Sequence, residues 1–360
     1  MAKCYSIHDE VYRLRFVPVQ RAGFDTVVST TSDGAVTRLG YQIPNFTYPD
    51  TGPAELFDAV AAQAREADTS GFDTVLVMDH FYQLPSLGPP DAYMLECYTL
   101  LAALARETTN VRLSALVTGN TYRNPAVLAK IVTALDIVSG GRAQLGIGAG
   151  WFQLEHDAFG IEFGTFTDRF ERLEEALQII IPMLRGEKAT LDGNRYKTVE
   201  AMNQPGPVGR IPIMIGGGGE RKTLRMEAQY ADESNIIADA RDVPRKLEAL
   251  AQHCADVGRD RSAITVSYQR TACIAPTMEQ AMNDLAKFMR FRGVDLDLLD
   301  ADQRTAVTSR FIVGDPDTVG ERLSDDLTLG VDGFTINMPA NGHVPGRVTL
   351  LGETAAKVIG

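Results

Sequence analysis

The sequence has few of the residues that build disulfide frameworks and metal centres. Its 360 residues include only four cysteines and five histidines, and no two cysteines are separated by two residues. Scattered cysteines in a chain of this length indicate reduced thiols, so we expect a cytoplasmic protein. The sequence also lacks GxSxG, Walker A and HExxH motifs, which disfavours serine hydrolase, ATPase and metalloprotease activities.

Positive charge and long apolar runs are also scarce. The net charge of −12 disfavours nucleic acid and anionic membrane surfaces as partners. It leaves room for an anionic cofactor, because backbone donors can hold phosphate inside an acidic protein. No apolar run is long enough to span a membrane, and the N-terminus has no signal-peptide core. We therefore expect small-molecule ligands.

The stretch from Val111 to Trp151 predicts a strand, a helix and a second strand. Asn124 and Pro125 are typical of a helix start, and Gly140 is typical of a helix end. The apolar runs on either side are too short for helices and read as buried strands. A strand–helix–strand unit of this kind predicts parallel strands.

Eight apolar strands alternate with helices along the chain, which predicts a (β/α)8 TIM barrel. A doubly wound open sheet gives the same local pattern and stays an alternative. We predict strands at 39–43, 74–78, 111–118, 143–148, 211–215, 234–238, 264–274 and 333–338. The barrel is expected to span residues 39–360, with an insertion at about 277–310. Residues 1–38 are assigned to an N-terminal extension of unknown role, and residues 190–199 to a hairpin.

His80 is the strongest candidate for acid–base chemistry. It is the one histidine that directly follows an apolar strand, and function in such barrels lies at the carboxyl ends of strands. The alternative is a histidine satisfied by a structural hydrogen bond. A metal pair with Asp79 is disfavoured, because neighbouring strand residues point to opposite faces. Asp79 could instead bond to a ring N–H or hydroxyl of a ligand.

Four consecutive glycines, Gly216–Gly219, follow the fifth predicted strand and precede a helix. Unshielded backbone N–H groups there favour phosphate or close ligand approach. A simple turn is the alternative. The glycines of Gly148–Gly150 end another strand, but a dinucleotide fingerprint is disfavoured because no clear helix follows.

Aromatic residues cluster after the first, second and fourth strands and could form an apolar pocket around a planar ring. Packing of loops over the barrel is the alternative for each of them. The predicted substrate pocket comprises Asn45, Phe46, Phe81 and Trp151. Glu155 and His156, in the predicted loop after Trp151, are interpreted as local capping residues.

Five segments together resemble the luciferase-like monooxygenase superfamily, in particular its actinobacterial branch of deazaflavin-dependent oxidoreductases. They are LGYQIPNF, GFDTVLVMDHF, the stretch from LSALVTGN to HDAFG, IPIMIGGGGERKTL and GVDGFTIN. The resemblance covers about residues 38–340. It implies a barrel, a homodimer and a flavin or deazaflavin at the carboxyl ends of the strands.

The resemblance also implies site residues. His80 would face the reactive edge of the ring, and the third strand would carry a cis peptide bond at Ala115–Leu116. The implied cofactor contacts are Asp79, Ala115, Leu116, Val117, Thr118, Gly148, Ala149, Gly150, Ile215, Gly216, Gly217 and Gly218. Related sugar-phosphate dehydrogenases carry a carboxylate just after the fourth-strand glycines. Here that region reads Ala149-Gly150-Trp151, which disfavours a sugar phosphate substrate.

We therefore predict an oxidoreductase that binds coenzyme F420 and moves a hydride between the ring's C5 and a small organic substrate, with His80 handling the proton. One alternative is an FMN-dependent two-component monooxygenase. A cofactor carrier or sensor without turnover is another, and an unrelated isomerase barrel is a third.

Overall fold

The computed structural model describes residues 38–360. Twelve strands lie in this part of the chain: β1 (Leu39–Ile43), β2 (Thr74–Val77), β3 (Arg112–Ala115), β4 (Thr118–Gly119), β5 (Leu145–Gly148), β6 (Ala189–Asp192), β7 (Lys197–Ala201), β8 (Ile213–Gly216), β9 (Glu233–Ile236), β10 (Thr265–Ile274), β11 (Ile312–Gly314) and β12 (Gly333–Asn337). The predicted N-terminal extension lies outside the described residues, apart from Arg38.

Eleven α-helices are described: α1 (Leu56–Thr69), α2 (Cys97–Glu107), α3 (Pro125–Ser139), α4 (Gln153–Phe159), α5 (Phe166–Leu184), α6 (Thr223–Tyr230), α7 (Val243–Asp256), α8 (Met278–Phe291), α9 (Ala301–Thr308), α10 (Pro316–Leu327) and α11 (Arg347–Ile359). Within residues 38–360, none of them combines the length and the apolar character that crossing a membrane requires.

The main sheet confirms the predicted barrel. Its strand order is β3-β2-β1-β12-β10-β9-β8-β5-β4, and all of its pairings are parallel. β3 and β4 are two parts of the third predicted strand. β3 pairs with β2, β4 pairs with β5, and an isolated bridge joins Leu113 to Ala143. Eight strand positions therefore follow one another around the barrel in chain order.

The third strand is interrupted at a cis peptide bond between Leu116 and Val117. The predicted position, Ala115–Leu116, is wrong by one residue. The ladder with β2 continues up to the cis bond, since Ala115 pairs with Val77 and the N–H of Leu116 donates to the Val77 carbonyl at 2.8 Å. The backbone leaves β2 only after Leu116.

Local sequence signals explain the third helix. The Asn124 side chain accepts hydrogen bonds from the N–H groups of Ala126 and Val127, as an N-cap does. Pro125 is the first helical residue, and Gly140 ends the helix with φ = 72°. These features were predicted, whereas α4 lies where a loop was expected.

The segment predicted as an insertion contains α8 and α9. They pack on a hydrophobic cluster separate from the barrel core, composed of Cys273, Leu285, Phe288, Met289, Leu296 and Ala340. The predicted hairpin is present as antiparallel β6 and β7. The main hydrophobic core, which includes residues of the strands and of the surrounding helices, contains large side chains such as Tyr41, Tyr268 and Phe334, which have no exposed surface.

Candidate active site

A cavity of about 660 Å³ opens at the carboxyl ends of the barrel strands. The carboxyl ends of parallel strands lie on one face of the barrel, and the functional residues were predicted to lie on this face. The predicted residues that line it are Asp79, His80, Leu116, Val117, Thr118, Gly150, Trp151, Gly216 and Gly217. The structure thus brings together residues that follow four different strands.

His80 is held by a buried carboxylate. Its Nδ1 lies 2.9 Å from Glu155 Oε2, and the Glu155 side chain has no exposed surface. Trp151 and Phe152 pack against the imidazole at centroid distances of 5.9 and 5.7 Å, both edge-on. With Nδ1 bonded to a carboxylate acceptor, the ring proton lies on Nδ1 and Nε2 is left for a ligand.

Glu155 is saturated with hydrogen-bond donors. Its Oε1 accepts from the backbone N–H groups of Phe81 and Tyr82, the latter at 2.9 Å, and its Oε2 accepts from the Tyr122 hydroxyl and from His80. Burial alone would raise the pKa of Glu155, but the bonds from His80, Tyr122 and Tyr82 hold that pKa below its usual value. Glu155 is therefore ionised at neutral pH.

Asp79 belongs to a second buried ion pair. Arg123 donates to both of its oxygens, at 2.6 and 2.9 Å, and the N–H of Gly119 donates to Oδ2 at 3.1 Å. Arg123 also donates to Glu96. Burial raises the pKa of Asp79, while Arg123 opposes that shift. The two carboxylates beside the cavity thus have different partners.

Val117 sits directly on two glycines. A Cβ atom at Gly216 would lie 2.7 Å from Val117 Cγ1, and one at Gly148 would lie 2.8 Å from Val117 Cγ2. These distances are too short for a side chain as long as position 117 is valine, so both positions are glycine in this sequence. Leu116 packs on Leu76 and Met214 behind the cavity. The result is an apolar wall, built from Leu116, Val117, Gly216 and Gly217, that a planar ring can approach.

Several predicted cofactor contacts do not line this cavity. The side chains of Ala115 and Ile215 pack in the main hydrophobic core, because alternation along a strand turns them away from the barrel interior and towards the helices. Gly148 lies beneath Val117, and Ala149 packs against the core. The carbonyl of Gly218 accepts a hydrogen bond from Lys246 at 2.5 Å.

The predicted substrate pocket needs similar corrections. Phe46 has no exposed surface and belongs to the hydrophobic core. Asn45 is buried and donates to the carbonyl of Pro339. Phe81 packs against Tyr122 and Phe159 and lines a separate groove of about 340 Å³. Trp151 does line the cavity, with 60% of its surface exposed.

The structure adds residues that sequence reasoning missed. Gln42, Asn235, Gln269 and Asn337 bring polar side chains into the cavity from four strands. Arg292 and Arg310, at the ends of α8 and α9, supply positive charge at its mouth. The alternation of inward-facing and outward-facing side chains along each strand was the sequence signal that could have identified these polar residues. Within residues 38–360, no cluster of three or more metal-binding side chains is present.

The comparisons with known proteins agree with the fold. Residues 37–333 match the luciferase-like monooxygenase family. An F420-dependent glucose-6-phosphate dehydrogenase from Microbacterium testaceum (strain StLB037) is 30% identical over 331 residues, which covers 85% of this chain and 92% of the relative.

Two solved structures show the same fold at 18% identity. The coenzyme F420 dependent tetrahydromethanopterin reductase from Methanopyrus kandleri has a TM-score of 0.69 and covers 91% of this chain and 100% of its own. The oxygenating constituent of 3,6-diketocamphane monooxygenase from Pseudomonas putida, in complex with FMN, has a TM-score of 0.68 and covers 90% and 99%. With the match to the family over most of its length, this chain belongs to the luciferase-like monooxygenase family.

Proposed function

We propose that this chain is an F420-dependent oxidoreductase that transfers a hydride between bound deazaflavin and a small organic substrate. The observation that carries the proposal is His80, which stands at the cavity wall with Nδ1 bonded to an ionised carboxylate. The similarity to F420-dependent dehydrogenases supports it. When bound, the deazaflavin supplies a ring carbon, C5, that donates or accepts hydride.

The residues present fit such a cofactor. Leu116, Val117, Gly216 and Gly217 offer an apolar wall that no Cβ atom interrupts at the two glycines. Asp79 keeps its place beside the cavity through Arg123, and its Oδ1 accepts one hydrogen bond among the described residues. That oxygen can therefore accept another hydrogen bond, from a ring N–H.

His80 handles the proton at Nε2. As Glu155 accepts the Nδ1–H, Nε2 carries a lone pair that takes a proton when the substrate is oxidised. The protonated ring returns that proton when the substrate is reduced, and the charge of Glu155 stabilises it. Trp151 and Phe152 cover the ring edges and limit the access of water.

The substrate is proposed to be planar or apolar rather than a sugar phosphate. The region where the sequence resemblance places a carboxylate in sugar-phosphate dehydrogenases reads Ala149-Gly150-Trp151 here, and Trp151 lines the cavity. An indole offers a stacking surface and one N–H donor, but it cannot carry a proton as a carboxylic acid does.

The chain is also proposed to form a cytoplasmic homodimer. Val127, Ile137 and Val138 on α3 expose 53, 41 and 39% of their surfaces, which is typical of an interface. Three cysteines in residues 38–360 are free and buried, as expected in a reducing compartment. Light scattering after size-exclusion chromatography should give twice the chain mass, and replacing Val127 and Ile137 with Lys should give a monomer.

Parallel fluorescence titrations with F420 and with FMN test the cofactor. We expect tight binding of F420 and weak binding of FMN. Preference for FMN would overturn the proposal and indicate oxygenation by a reduced flavin, with a separate reductase as partner.

The His80→Ala variant then tests turnover. It should bind F420 normally but oxidise reduced F420 at least a hundredfold more slowly with an accepted substrate, because general acid–base catalysis contributes roughly 10²–10⁴. An unchanged rate would remove His80 from the reaction.

A further inference from the structure

Three side-chain amides from neighbouring strands meet at one side of the cavity. Gln42 Oε1, on β1, accepts hydrogen bonds from Gln269 Nε2 on β10 and from Asn337 Nδ2 on β12, each 2.9 Å long. β12 lies between β1 and β10 in the sheet, so the three side chains converge. Gln42, Gln269 and Asn337 are named the amide cluster.

The amide cluster leaves acceptor oxygens unused. Within the described part of the chain, Gln269 Oε1 and Asn337 Oδ1 are buried and have no hydrogen-bond partner. Both residues line the cavity. Buried acceptors without a partner are rare in folded proteins, because each has given up the water it would otherwise bind. Two on one wall indicate a ligand that brings donors.

Asn235 on β9 extends this surface. It has no exposed area and lines the same cavity. Its Nδ2 donates to the hydroxyls of Ser267 and Thr335, while its Oδ1 has no partner among residues 38–360. Three residues that line the cavity, on three different strands, therefore each carry a buried carbonyl oxygen without a partner.

Another part of the cavity lining is apolar. Met78 follows β2, Leu116 and Val117 lie between β3 and β4, and together with Gly216 and Gly217 they line this part. The proposed ring site uses this apolar wall. The amide cluster is thus left to face the organic substrate.

We propose that the amide cluster and Asn235 form a substrate-recognition subsite for a neutral group with two or more donor hydrogens, such as adjacent hydroxyls. Carbonyl oxygens repel an anion. A cation would need a carboxylate, but Asp79, the carboxylate that lines the cavity, is already paired with Arg123. This inference rests on the proposed function, because it assigns the apolar wall to the cofactor.

Ligand-observed NMR with two matched probes tests the subsite. The first probe is trans-1,2-cyclohexanediol, and the second is its dimethyl ether, which has the same ring but no donor hydrogens. Both are titrated into the full-length protein with and without F420. The diol should bind roughly tenfold more tightly for each hydrogen bond it donates.

Variants locate the effect. Gln269→Met keeps the side-chain length and removes the acceptor, so the preference for the diol should fall about tenfold. Gln229→Met is the matched control, because Gln229 is exposed and pairs with Tyr230 on α6. F420 fluorescence titration checks that each variant is folded. Asn337→Leu replaces Gln269→Met if the latter no longer binds F420.

The outcomes separate the two proposals. Equal or absent binding of the diol and the ether to the wild type overturns the subsite, and so does a preference that survives in Gln269→Met. If the wild type prefers the diol but does not bind F420, the donor-selective subsite is supported and the proposed function is contradicted. If the wild type binds F420 but shows no preference for the diol, the proposed function is supported and the subsite is contradicted.

Discussion

Replacing Glu155 with Gln is expected to move the ring proton of His80 from Nδ1 to Nε2. The backbone N–H groups of Phe81 and Tyr82 point at Oε1 and cannot rotate away. The single oxygen of Gln will therefore face them. Its NH2 group then faces Tyr122 and His80, where it donates to Nδ1 and makes that nitrogen an acceptor.

The size of the effect follows from the charge of Glu155. A hydrogen bond to an ionised group contributes about 1.5–3 kcal/mol, against about 0.5–1.5 kcal/mol for a neutral pair. Losing the charge therefore reduces the stabilisation of the Nδ1–H tautomer by roughly 1–1.5 kcal/mol, which is about a factor of ten in the equilibrium between the two tautomers. The new N–H donor favours the other tautomer further. With Nε2 protonated, oxidation of substrate should slow by about a hundredfold.

Histidine ¹⁵N NMR measures the tautomer without any substrate. The His80 signals are assigned by their loss in His80→Ala. Glu175→Gln is the matched control, since Glu175 also accepts backbone N–H bonds, from Asn194 and Tyr196, but lies outside the cavity lining. An Nδ1–H tautomer that persists in Glu155→Gln would refute this account of the site.

Three further changes test the packing and charge around the cavity. Gly216→Ala should destabilise the fold by about 1–3 kcal/mol, because its Cβ would lie 2.7 Å from Val117 Cγ1, and adding Val117→Ala should recover most of the loss in a denaturant titration. Arg123→Met should cost about 3–5 kcal/mol by leaving Asp79 buried without its partner, whereas combining it with Asp79→Asn should cost less than the single change. Burial raises the pKa of Glu227 from 4.5 to about 8. The amount by which Glu227 lowers the free energy of unfolding therefore grows as the unfolded chain ionises above pH 4.5, and it levels off above pH 8. Glu227→Gln should therefore stabilise the protein by roughly 3 kcal/mol at pH 7 and by little at pH 4.5, and an equal gain at both pH values would contradict the assignment.

Local patterns were sufficient to predict the alternating strands and helices, whereas the choice of a closed barrel over a doubly wound open sheet needed the family resemblance. Some features depend only on neighbours a few residues away and can therefore be identified in the sequence. They include the apolar runs, the helix N-cap at Asn124 and the helix end at Gly140. The order of strands around the barrel then follows from chain order and parallel pairing. The cis bond was placed one residue too early because its position was taken from the family resemblance, whereas the bond lies at Leu116–Val117, directly after the pairing of β3 with β2.

The site was only partly predictable for the same reason. His80 could be found because it ends a strand. Glu155 is 75 residues away, on a short helix that the sequence did not predict, and only the folded barrel brings it to His80. Phe46 is a strand-end aromatic like Trp151, yet one is buried in the core and the other is exposed. Type and position alone do not distinguish them.

Because Val117 packs directly on Gly148 and Gly216, the residue types that these three distant positions can accept depend on one another. A larger residue at either glycine is admissible only if position 117 becomes smaller, because its Cβ atom would otherwise meet a methyl group of Val117. Single-site libraries at these positions would return mostly inactive variants and suggest that each residue is fixed. A library that changes all three together would instead reveal which combinations reshape the wall, and that is the practical route to altering the ligand this barrel accepts.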